Sequence, residues 1–249
     1  MPYQSGGQKE INVWQFDNLS TAEKMFSGCT NLKEVIFPEE INFTKVISLS
    51  RMFELCKNLQ NIFENTYIKF GEDTNLPLNL SYMFSSCSKL LNIHALENNF
   101  DSMARVDSMI GIFANCTSLT GLSLTNWDLN SNKALSLASA FSGCSAMTSL
   151  DVPQMKVSSL ASTFNGCSQL PALTLTNKFN TDDLTDISYC FANTSNLKTL
   201  TGYEDWNVNK VSNASAVFEN CGVTELDLTN WKLLSDGISC YKMFKSCMA

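Results

Sequence analysis

Met25-Phe26-Ser27-Gly28-Cys29-Thr30-Asn31-Leu32 is the stretch on which the fold can be read. Phenylalanine followed three residues later by cysteine recurs at Phe53/Cys56, Phe84/Cys87, Phe113/Cys116, Phe141/Cys144, Phe164/Cys167, Phe218/Cys221 and Phe244/Cys247. A ninth mark at Phe191 carries Thr194 in the cysteine slot. Successive phenylalanines are 27, 31, 29, 28, 23, 27, 27 and 26 residues apart. A register of this kind marks stacked supersecondary units, none of which can bury its apolar face alone.

Outward from the mark, apolar or small residues lie four positions upstream: Ala22, Leu49, Leu80, Met109, Leu137, Leu160, Ile187, Ala214 and Cys240. Most units add another apolar residue seven positions upstream, such as Val46, Val106 and Val211. Spacings of three and four predict a short helix with one buried face. Gly28, Asn115, Gly143, Gly166, Asn193 and Asn220 then suit a left-handed residue that ends it. Leu55, Ser86 and Ser246 break that rule, which predicts differently built turns there.

Downstream of the cysteine slot the period changes. Leu119, Leu122 and Leu124 exemplify C-x-x-L-x-x-L-x-L, whose alternating end predicts a short half-buried strand. The eighth unit is one residue shorter, with Val223, Leu226 and Leu228. The expected architecture is an α/β repeat: a leucine-rich-repeat solenoid of about nine coils, each a strand, a turn and a short helix. Residues 1–10 read as an irregular N-terminal segment and 11–249 as the solenoid. Only two residues follow Cys247, so the array is expected to be truncated there, or its end to be covered by a partner or another copy.

The runs Leu122-Ser123-Leu124-Thr125-Asn126-Trp127-Asp128 and Leu226-Asp227-Leu228-Thr229-Asn230-Trp231, with the Met25–Leu32 segment, resemble the BspA-like leucine-rich repeats. They are also similar to repeats of mycoplasma surface lipoproteins. The resemblance covers about residues 11–249. It implies a curved solenoid of the kind found in adhesins and other cell-surface proteins, with no catalytic residues and no cofactor to carry over.

Composition narrows the function further. The formal net charge is −7, and the 17 basic residues form no cluster, which argues against nucleic acid and anionic lipid. No run of 18 apolar residues exists, so no membrane insertion is expected. The opening Met1-Pro2-Tyr3-Gln4-Ser5 reads as no secretory leader; the expected location is the cell surface or extracellular space if a leader has been removed, and is otherwise left open. The ten cysteines contain no C-x-x-C pair and accompany a single histidine, which argues for small core residues over zinc ligands. Trp127, Trp206 and Trp231 recur in the turn after the strand and are expected to pack between coils. Asp151, Asp182, Asp183 and Asp227 have no spacing that fixes a glycosidase pair.

Residues between the buried strand positions must face outward. On that ladder lie Ile36, Phe63, His94, Asp151 and Asp227, the candidate binding face. The expected function is non-enzymatic: a microbial surface binding or adhesion module for a protein or glycan. The alternative is a structural or receptor-binding component of a larger assembly such as a phage particle.

Overall fold

A computed structural model describes residues 18–129, 132–233 and 236–247. The expectations for residues 1–10, for the first part of the array and for its last two residues fall outside them. The chain winds into a β-solenoid. Its strands are β1 (Glu40–Asn42), β2 (Tyr67–Lys69), β3 (Leu78–Asn79), β4 (Val106–Ser108), β5 (Gly121–Ser123) and β6 (Leu135–Ser136), then β7 (Ser149–Asp151), β8 (Met155–Ser159), β9 (Ala172–Thr174), β10 (Phe179–Asn180) and β11 (Thr199–Thr201). Every pairing is parallel: β1–β2, β3–β4, β5–β7, β6–β8–β10 and β9–β11.

The expected short helices are absent; the helix of the described residues is α1 (His94–Asn98). Each stretch around a phenylalanine is instead a run of tight turns. Amides bond alternately within the coil and to the next one. Met25, Ser27 and Cys29 donate to the carbonyls of Ala22, Lys24 and Phe26, three residues back. Lys24, Phe26 and Gly28 donate to Ser50, Met52 and Glu54 of the next coil. Such alternation requires left-handed residues. The residue two before each phenylalanine has φ between 55° and 58°, from Lys24, Arg51 and Tyr82 to Ala216 and Lys242. The residue two after is also left-handed, and Leu55, Ser86 and Ser246 (φ 63°, 63° and 54°) adopt the same turn as the glycines and asparagines. A left-handed non-glycine residue costs roughly 1–2 kcal/mol, offset here by the bonds between coils. Turns that close every third residue bury the same i, i+3 and i+4 positions as a helix, so the spacing alone misassigned them.

The turns are opened by a column that the sequence reading passed over. Thr21, Ser48, Asn79, Ser108, Ser136, Ser159, Asp186, Asn213 and Ser239 lie five residues before each phenylalanine, most of them joined by parallel bridges. Most of their side chains accept the amide two residues on, as in Asn79 Oδ1 from Ser81 N (2.8 Å) and Asp186 Oδ1 from Ser188 N (2.8 Å). These are the short acceptors that favour turns over helix.

Nine marks do not make nine complete coils; the solenoid has about six turns. The first, second, third and eighth units carry no strand six residues after the cysteine slot, where it was expected, so the unit assumed in the count is completed only in part of the array. In the third unit α1 replaces the strand. Between β7 and β9 the ladder is broken at Pro171. Thr148 N donates to Thr120 O (2.7 Å) and Lys198 N to Pro171 O (2.9 Å), but Pro171 has no N–H to offer Thr148.

The core is a set of columns. Successive phenylalanines from Phe26 to Phe244 stack with ring centroids 5.1–6.0 Å apart and planes within 15°. Beside them Cys56, Cys87, Cys116, Cys144 and Cys167 each donate a thiol hydrogen to the phenylalanine carbonyl of the preceding coil, at 3.0–3.2 Å. Thr194 bonds Phe191 O (2.6 Å) from the same slot. Burial pushes the Cys56 thiol up to about 11 and Cys167 up to about 12. None of the ten cysteines is in a disulfide. Arg105 is also buried. Its Nε donates to Leu76 O (2.6 Å), Nη2 to Val46 O (2.7 Å), and Nη1 to the carbonyls of Thr44, Phe43 and Phe70. It ties together the turn at 43–46 and the longest insertion of the array, around Gly71–Leu76.

Cys116→Ala should lower stability by about 1–2 kcal/mol through a lost hydrogen bond and a small cavity, read as a lower urea midpoint at unchanged slope. In the same folded protein a thiol reagent should reach Cys29 and Cys240, which are exposed, and leave the buried column unmodified until denaturant is added. Rapid native labelling of Cys116 or Cys144 would contradict this packing.

Candidate binding surface

The structure separates the five residues that the sequence put on one face. Ile36 is 88 % exposed, as expected. Asp151 is exposed on β7. Phe63 is not on the surface: it is 1 % exposed, stacked on Phe37 (4.7 Å) and edge-on to Phe53 (6.1 Å). A left-handed φ of 57° at Phe63 turns the side chain into the core, because the second unit forms no strand there and the two-residue alternation does not apply. His94 is not on a strand but opens α1, with Nδ1 3.1 Å from Glu97 Oε2. Asp227 is exposed but lies outside any strand. Its Oδ1 accepts from Thr229 N (3.0 Å) and Thr229 Oγ1 (2.7 Å), and these bonds hold its carboxyl below the usual range.

What remains of the face lies on β5, β7, β9 and β11. Gly121 and Ser123, Ser149 and Asp151, Ala172 and Thr174, and Thr199 and Thr201 point away from Leu122, Leu150, Leu173 and Leu200. Small side chains on paired strands make a level surface. At the β5 edge the α1 turn stands in for a strand: Glu97 Oε1 accepts the Ser123 amide (2.8 Å) and Leu96 O accepts Trp127 Nε1 (2.6 Å). Trp127 and Trp206 are buried between coils, and Trp231 stacks on Trp206 at 6.3 Å.

Other flanks carry polar ladders. Asn220 Nδ2 donates to Asn193 Oδ1, and Asn193 Nδ2 to Asn165 Oδ1, each at 2.9 Å. Asp183 sits between Lys156 (2.7 Å) and Lys210 (2.9 Å), and hydrogen bonds from both lower its carboxyl to about 2. Asp182 accepts from Asn207 Nδ2 (3.1 Å), so the neighbouring carboxylates are absorbed in links between coils. Among the described residues no group of His, Cys, Asp and Glu could hold a metal ion, and no helix is long and apolar enough to cross a membrane.

Residues 3–127, 78–162 and 135–249 match the family model described as "Mycoplasma protein of unknown function, DUF285". The chain belongs to this family. The resemblance to mycoplasma surface repeats read from the motifs is thereby borne out. The family match spans the same Phe-x-x-Cys units that build the solenoid. Among curated proteins there is no match. Similar solved structures include these three. A leucine-rich repeat protein from Bacteroides ovatus shares 17 % identity over 90 % of this chain and 67 % of its own, with a TM-score of 0.42. A leucine rich cell surface protein from Faecalibacterium prausnitzii shares 16 % over 87 % and 65 %, with a TM-score of 0.37. An internalin from Listeria monocytogenes shares 18 % over 69 % and 61 %, with a TM-score of 0.21. The chain spans about two thirds of the length of the first two.

Two outcomes test this geometry. Phe63→Ala should cost about 3–5 kcal/mol as a core truncation, measured by chemical unfolding; a cost near zero would return Phe63 to the surface. Asp183 titrates below its unfolded value, so its favourable contribution is complete above pH about 4 and is lost as pH falls through about 2. Lys156→Met should raise the Asp183 pKa, followed by NMR titration of the carboxyl carbon.

Proposed function

We propose that the chain is a non-enzymatic binding module of a microbial surface protein, contacting a protein or glycan through the open face of β5, β7, β9 and β11. The observation that carries this reading is that face: a level array of small hydroxyl, Ala and Gly positions, with one carboxylate at Asp151. Such a surface admits close approach of a partner and supplies hydroxyl donors and acceptors without ordering long side chains. Ile36, far out of the core on the same ladder position, adds an apolar contact at the first unit. Catalysis finds no support in the titrating groups: His94 pairs with Glu97, and Asp183 is clamped by two lysines. Display at the cell surface is part of this proposal, being the setting of the mycoplasma surface lipoproteins whose repeats these motifs resemble.

The test is a glycan and protein array probed with the whole chain, followed by the pair Asp151→Lys and Thr174→Lys. Both positions are exposed, so the fold should survive. The variant should weaken a detected ligand at least about tenfold, roughly 1.4 kcal/mol. Undiminished binding would place the interaction elsewhere.

A further inference from the structure

We infer that the boundary between the seventh and eighth units is a docking groove for an extended basic peptide, which adds a strand to the free edge of β11. This inference rests on the geometry of that boundary and not on the open face proposed above.

The cause is the residue missing from the eighth unit. At Gly222 the two coils touch: its amide donates to Thr194 O (3.1 Å), and a Cβ there would lie 2.1 Å from Ser195 O. The register is then one residue short and the backbone ladder stops. Residues 223–228 form no strand, and among the described residues no backbone hydrogen bond joins them to β11. Thr199 N donates to Pro171 O (3.3 Å) and Thr201 O accepts from Leu175 N (2.7 Å), so these residues turn their backbone toward β9. Parallel strands alternate, so the N–H and C=O of Leu200 point toward the eighth unit.

Among the described residues, side chains cover the neighbouring orphans but not Leu200. The Gly202 amide goes to Glu204 Oε2 (2.7 Å), and the Asp227 amide to Tyr203 Oη (2.7 Å). Between these two props lies a cavity of about 370 Å³, walled by Leu200, Glu204, Glu225 and Asp227. It runs into a second cavity of about 300 Å³ beside Asn220 and Val223, and the two share Lys198 and Thr224. An elongated cleft along a strand edge suits an extended chain better than a compact ligand. The outer edge of β5 offers no such site, because Glu97 already occupies the Ser123 amide.

Charge selects the occupant. Three carboxylates, Glu204, Glu225 and Asp227, face the cleft against Lys198, whose Nζ donates to Gly222 O (3.1 Å). An incoming strand with Lys or Arg at alternate positions would present cations to Glu225 and Asp227 while its backbone pairs with Leu200.

The experiment is calorimetric titration of the whole chain with acetyl-(Thr-Lys)4-amide. Saturable one-to-one binding is expected. It should weaken at least about tenfold in a Glu225→Lys, Asp227→Lys variant, and equally for a peptide N-methylated at alternate residues, which removes its strand donors. A chain with one serine inserted between Gly222 and Val223 should restore the ladder and lose the binding. The Asp151→Lys, Thr174→Lys variant should bind the peptide as the parent does, so this inference and the open-face reading fail separately. The inference is overturned if no saturable binding occurs below about 1 mM, if (Thr-Glu)4 binds equally well, or if the Glu225/Asp227 variant or N-methylation leaves the affinity unchanged.

Discussion

The phenylalanine column sets one distance that every coil must meet. Rings stacked at 5.1–6.0 Å, with amides at alternate residues bonded to the next coil, leave no freedom in spacing along this flank. The units differ in length, so every insertion or deletion has to be absorbed on the other flanks. The 31-residue step from Phe53 to Phe84 carries the excursion around Gly71–Leu76, and Arg105 reaches back to tie its carbonyls and those of the 43–46 turn. The 23-residue step from Phe141 to Phe164 leads into Pro171 and a broken ladder. The missing residue after Cys221 opens a cleft. Local irregularities of this chain are consequences of a rigid flank and a variable repeat length.

Cysteine suits its slot for the same reason. The site beside the phenylalanine stack is small, desolvated and faces a carbonyl of the preceding coil. A thiol fills it and donates a weak hydrogen bond at little desolvation cost, where alanine would leave the carbonyl with one partner fewer. Burial keeps these thiols protonated, which removes them from nucleophilic or metal chemistry. The proposed specificity rests on the residues that vary between units. They lie on the strand face, along the charge ladder of Lys156, Asp183 and Lys210, and at the edge beside Glu225 and Asp227.

Much of the core was legible in the sequence, and the failures have physical causes. The phenylalanine, cysteine and leucine columns were placed correctly within the array because burial repeats with the unit. Cys29, Cys240 and Phe244, read as core, are exposed because among the described residues the end coils have no neighbour to cover them. The helix was wrong because tight turns closing every three residues reproduce a helical spacing of apolar positions. The column from Thr21 to Ser239 could have signalled turns, since Ser, Thr, Asn and Asp start them. No signal of residue type marks the left-handed position two before each phenylalanine, which holds Lys, Arg, Tyr, Gly, Ser and Ala. Phe63 and His94 were misplaced because two-residue alternation was extended into units whose strand does not form.

The sequence by itself determined the repeat, its register and its buried columns, because these depend on residue type at fixed intervals. It also determined the family, which the same intervals define. Tertiary structure alone decided which units complete a strand, that Arg105 turns inward where the next unit holds the exposed Lys133, and that β11 keeps an open edge. Each of those outcomes depends on what the adjacent coil offers across a few ångströms, and a residue's own neighbours in the chain do not carry that information.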